Sequence, residues 1–221
     1  MIIIEKKHFE TPLGQKKTYY YDAIDQSEYR RIAGGIGFPY GDQPGFIIVM
    51  AEDFPEDPRL KKRRLRLLTE HTNSDIEKLV KAIYDYQNRY LVETWHGETD
   101  NLIMMHFIDK FNQKLSKKKR GIYINDAPFS DDPHNLRLYS HQIKNLLLPT
   151  KKAMHFGDNS QIPGYLSGLS ADQVRQDPAQ KHPIIAALGF LVAGLSEPYY
   201  DVNKDRELQE AYIQKRTVVG L

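Results

Sequence analysis

The chain has 221 residues, 40% hydrophobic and 27% charged, with a formal net charge of +2. That length supports one sizeable core, that composition excludes wholesale disorder, and that charge gives no whole-molecule field to select a partner. There is no cysteine, which excludes disulfide staples, thiolate metal sites and a thiol nucleophile and fits a reducing compartment.

The N-terminal apolar run, Ile2 to Ile4, is too short for a signal peptide, and its charges follow it instead of preceding it. No stretch reaches the roughly 18 apolar residues of a membrane-crossing helix. A cytoplasmic location and no membrane partner are expected.

Residues 1–30 are polar and rich in tyrosine (Tyr19, Tyr20, Tyr21, Tyr29) and read as an arm or short hairpin around Pro12-Leu13-Gly14. From residue 31 to 221 a single α/β domain is expected. Its first strand is Ile32 to Gly37, weakened by glycines. The turn-rich Tyr40 to Gly45 leads into Phe46 to Ala51, an apolar run typical of a buried strand. Arg64 to Glu70 alternates as a third strand. Ser74 with Glu77 forms a capping box before a helix with Ile76, Leu79, Val80, Ile83 and Tyr84 on one face. Tyr90 to Trp95 reads as a strand, and Thr99 or Asp100 caps a helix carrying Leu102, Met105, Phe107, Ile108 and Phe111. Lys117 to Gly121 is a loop and Ile122 to Asp126 a short strand. Helices follow over His134–Leu148, after Ser170 or Asp172, over Ile184–Leu195 behind His182-Pro183, and over Asn203–Lys215. Ile162 to Tyr165 reads as irregular. An antiparallel trio feeding alternating helices and strands predicts a mixed sheet flanked by helices.

That order resembles the ribonuclease H-like fold, nearest to the nuclease domain of phage large terminase subunits. Three places carry the resemblance. Gly35-Ile36-Gly37-Phe38-Pro39-Tyr40-Gly41-Asp42 is similar to the family's opening strand and turn. Tyr90-Leu91-Val92-Glu93-Thr94-Trp95-His96-Gly97 is similar to its fourth strand, and His182 to Phe190 to its closing helix. The resemblance implies phosphodiester cleavage by two divalent ions, Mg or Mn, about 4 Å apart and held by carboxylates from those three places. It also implies DNA or a phage-packaging protein as partner.

The sequence departs from that pattern at two of the three places. Gly37 stands where the first acid is expected and Ala186 where the closing helix usually carries Asp; only Glu93 falls on a family acid position. Glycine and alanine offer no ligand atoms, so the implied metal site is incomplete, and the expectation is a non-catalytic or nucleic-acid-associated protein. An active nuclease would need Glu93 with displaced acids, Asp126 and Asp42, as catalytic residues, with Glu93 and Asp126 on the metal. Each also has an ordinary reading, Glu93 as a solvent-facing strand residue and the two aspartates as turn residues. An unrelated α/β interaction protein is the third reading.

Asp131-Asp132-Pro133-His134 reads as a helix cap before it reads as a metal motif. His96 lies close enough to Glu93 in sequence to act as a general base or simply to pack. Two basic runs, Lys61-Lys62-Arg63-Arg64 and Lys117-Lys118-Lys119-Arg120, suit phosphate contact, and such runs also occur as solvated loops or helix ends. There is no Walker loop, nucleophile elbow or kinase signature.

Overall fold

Phe46 to Ala51 contains no polar residue, and such a run is stable as a strand only when both faces are covered. All six side chains are fully buried. The computed structural model describes residues 2–10, 16–53, 64–126, 154–170, 173 and 181–196. In chain order it contains β1 (Ile4–Glu10), β2 (Lys16–Asp22), β3 (Glu28–Gly37), β4 (Gly45–Asp53), β5 (Leu65–Asn73), α1 (Ile76–Arg89), β6 (Thr94–Gly97), α2 (Leu102–Gln113), β7 (Ile124–Asp126), β8 (Met154–His155), α3 (Ile162–Gly168) and α4 (Pro183–Ser196). The sequence expectations at Pro12–Gly14, Lys61 to Arg63, Asp131 to Leu148, Asp172 and Asn203–Lys215 lie outside the described residues.

β3 is the hub of the sheet. It pairs antiparallel with β4 along most of its length and parallel with β6 through Ala33↔Thr94, Gly34↔Trp95 and Gly35↔His96. β4 pairs antiparallel with β5, and β6 pairs parallel with β7. Read across, β5-β4-β3-β6-β7 places an antiparallel trio beside two parallel strands reached through α1 and α2. This is a mixed sheet, an antiparallel trio followed by parallel strands, as the sequence predicts. β8 extends it beyond β5, in parallel, and the β1–β2 hairpin joins it through Tyr20↔Tyr29 and Tyr21↔Glu28 at the start of β3.

The alternation of side chains along β3 and β4 divides the core in two. Ala33, Phe46, Ile48 and Met50 face α4 and α3. Ile32, Ile36, Ile47, Val49 and Trp95 face α1 and α2. α4 is apolar nearly all round, as a helix pressed into the core must be.

Several local expectations shift. Asp75, not Ser74, caps α1, accepting from the Lys78 amide, because Asn73 Oδ1 takes the Asp75 N–H and turns the chain there. Asn101, not Thr99 or Asp100, caps α2 through the Met104 amide. α1 runs on to Arg89, and Leu91 reverses the chain at φ 54°, so the fourth strand starts at Thr94 and Glu93 precedes it. Ile162 to Gly168 is a helix where irregular chain was expected. β8 has only two residues, too short for a sequence pattern.

Candidate functional site

The parallel strands β3 and β6 end on the same side of the sheet, and in open α/β sheets that carboxyl edge is where ligands bind. The first turns of α4 lie over it. Gly35 and Gly37, two residues apart, present the same face of β3 to that helix. A Cβ on Gly37 would stand 1.9 Å from the carbonyl oxygen of Pro183, and one on Gly35 1.9 Å from that of Ala187. Backbone therefore meets backbone along this seam. A carboxylate-bearing side chain has no room at either position while α4 keeps its place. At Gly37, where the resemblance leads one to expect an acid, the helix occupies the space that a side chain would need.

Beside this seam is an open cleft of about 370 Å³. Phe38, Ala186 and Phe190 give it apolar walls, and Tyr40, Glu98 and Asp100 bring polar groups to it. Ala186 lies on this wall and contributes a methyl group. Glu98 and Asp100 were not singled out as site residues in the sequence. The signal that points to them is position alone: they are acids immediately after Gly97, where β6 ends at the sheet edge.

Of the three candidate catalytic acids, Glu93 stands apart from the sheet edge that carries Asp126 and the β3–β4 turn. Glu93 precedes β6, at the end of that strand away from the cleft. Its Oε1 accepts a 2.5 Å hydrogen bond from the Tyr20 hydroxyl, and its amide donates to the Ile32 carbonyl. Tyr20 is buried, and burial, with the Glu93 carboxylate next, raises its pKa well above the usual tyrosine value. Asp126 pairs with Gly97 at the opposite end of β6. Four residues of strand separate Gly97 from Glu93, about 13 Å at 3.3 Å per residue. Asp42 is exposed in the β3–β4 turn beside Gly41, whose φ is +55°. Among the described residues, no three His, Asp or Glu side chains are grouped so as to hold a metal ion. The acids among the described residues do not fit the two-ion centre that the resemblance implies. His96 is buried, its Nε2 is 3.2 Å from Thr94 Oγ1, and its ring packs against α4 at Gly194.

The second basic run divides by role. Lys117, Lys118 and Lys119 are exposed in the turn after α2. Arg120 donates to the carbonyls of Val92 and Glu93, tying that loop to the approach to β6. Of the first run only Arg64 is described; it is exposed, and its backbone carbonyl accepts from the Asp53 amide.

Strand order and closing helix together define an α/β domain with a mixed sheet and a cleft at the sheet end. No family model and no curated protein sequence matches the chain. Among solved structures it is similar to the nuclease domain of g2p, the large terminase of bacteriophage SPP1, in a crystal structure with bound Mn. The identity is 15%, covering 74% of this chain and 85% of that one, with a TM-score of 0.47. Among the described residues, no helix is long and apolar enough to cross a membrane.

Proposed function

We propose that this chain is a ribonuclease H-like domain that binds nucleic acid, DNA in the first instance, without cleaving it. The observation that carries the non-catalytic half is the seating of the α4 backbone on Gly35 and Gly37, which leaves no space for a strand-borne metal ligand. The binding half is supported by the exposed Lys117–Lys119 turn. Three ammonium groups on adjacent residues, with no acid between Lys110 and Arg120, suit a row of phosphates.

The test pairs a cleavage assay with a binding assay. Linear and supercoiled DNA are incubated with the protein and Mg or Mn, and binding of a labelled oligonucleotide is followed at low salt. The expected result is binding without cleavage, with binding weakened in a Lys117→Glu, Lys118→Glu, Lys119→Glu variant. Cleavage that disappears in Glu93→Ala would reverse the reading. It would assign Glu93 to a metal-dependent nuclease centre.

A further inference from the structure

On the layer opposite α4, helices α1 and α2 leave a groove of about 320 Å³ between them. Its rims carry Lys78 and Lys81 from α1 and Lys110 and Lys114 from α2. Phe107 and Phe111 line it, both half-buried, so each ring keeps a solvent-facing part. Lys110 Nζ stands 5.9 Å from the centre of the Phe107 ring, and Tyr84 packs against Phe111 at 5.2 Å. These contacts hold the rings in place along the groove. The two acids that also border it, Asp75 and Glu77, sit at the N-terminal end of α1, where Asp75 caps the helix and stands 3.5 Å from Lys78.

We infer that this groove is a binding path for single-stranded nucleic acid, a reading that rests on the nucleic-acid function proposed above and gives it a location. The lysines line both rims, so a sugar–phosphate backbone entering the groove meets ammonium groups on each side. The partly open phenylalanine rings supply what a purely ionic surface lacks, flat apolar faces on which bases stack without regard to sequence. Lys114 continues into Lys117, Lys118 and Lys119, which prolongs the path beyond the helices. Asp75 and Glu77 repel phosphate at the other end, so the strand lies over the Lys81, Lys110 and Lys114 half of the groove. Placed on the α1–α2 layer, this path is separated by the sheet from the cleft beside α4.

The experiment measures fluorescence anisotropy of labelled oligothymidine, oligouridine and a DNA duplex of equal length with the full chain. Two variants are compared with the unaltered protein, each checked for an unchanged melting temperature. Lys81→Glu, Lys110→Glu, Lys114→Glu reverses exposed charges on both rims. Phe107→Leu keeps apolar volume and removes one ring. The expected results are tighter binding of either single strand than of duplex, and loss of about tenfold or more in the charge variant. That variant should also flatten the dependence of log affinity on log salt by about 2. Phe107→Leu should weaken single-strand binding several-fold with the salt dependence unchanged, a response that charge alone does not give.

The inference is overturned if the charge variant binds single strands as the unaltered protein does, or if duplex binds more tightly. It is also overturned if polyglutamate of equal charge competes as well as oligothymidine. Binding lost only on reversal of Lys117–Lys119 would overturn the groove and leave the broader nucleic-acid reading standing. No binding of any nucleic acid at low salt would overturn both.

Discussion

Gly35 and Gly37 do their work by lacking a side chain. Each lets a carbonyl of α4 approach to where a Cβ would otherwise be, so even the smallest addition forces the helix outward. Gly35→Ala is therefore expected to lower stability by about 3 kcal/mol, at the upper end of overpacking costs, as read from chemical denaturation. An unchanged midpoint would mean that α4 is free to shift and that the seam does not close the site. Glu93 has a different residue-scale role. Its bond from the Tyr20 hydroxyl joins the N-terminal hairpin to the approach to β6. Because burial and Glu93 raise the Tyr20 pKa above 10.0, the folded state keeps a proton that the unfolded chain releases above that value. Stability must then fall as pH rises past about 10, since the native state binds more protons there. Tyr20→Phe should cost about 1 kcal/mol at neutral pH and make the alkaline decline shallower. Melting temperature followed across that range checks both the sign and the assignment.

At the scale of elements, the position of α4 is set by polar contacts as well as by its apolar surface. Arg31 on β3 forms a salt bridge with Glu52 on β4 and also donates to the carbonyl of Leu195 near the end of α4. The Glu52 side chain is 2% exposed, so removing it strands a largely buried guanidinium. Glu52→Ala is expected to cost about 3–5 kcal/mol and to loosen the last turn of α4 first. Hydrogen exchange should show faster opening around Leu195 than in α1; a uniform change would argue against the tie. The boundaries of β6 depend on similar non-local causes. The helical run to Arg89 and the reversal at Leu91 displace the strand to Thr94, where the β3 edge from Ala33 to Gly35 is available for pairing. A β-forming run from Tyr90 to Trp95 cannot reveal that shift, because pairing with β3 decides it.

For the whole molecule, the net charge of +2 conceals a strongly uneven distribution. Lys110 through Arg120 holds six cations and no acid. Affinity for DNA should therefore fall steeply with salt despite the near-neutral total, and reversing Lys117, Lys118 and Lys119 should reduce the single-strand salt slope by about 2. A slope indifferent to that loop would place the phosphate contacts elsewhere. The sequence by itself determined the elements whose signals are local: the buried Phe46–Ala51 strand, the periodic face of α1, the apolar α4 and the order of strands and helices that makes the sheet mixed. It also showed that Gly37 and Ala186 carry no ligand atoms, because their side chains have none in any fold. Only the tertiary structure decided that α4 fills the space above Gly37, that Glu93 bonds Tyr20 at the end of β6 opposite Asp126, and that Glu98 and Asp100 stand beside the cleft. These are contacts between residues tens of positions apart. Their geometry follows from strand register and helix seating, which depend on packing across the whole sheet and leave no local pattern in the chain.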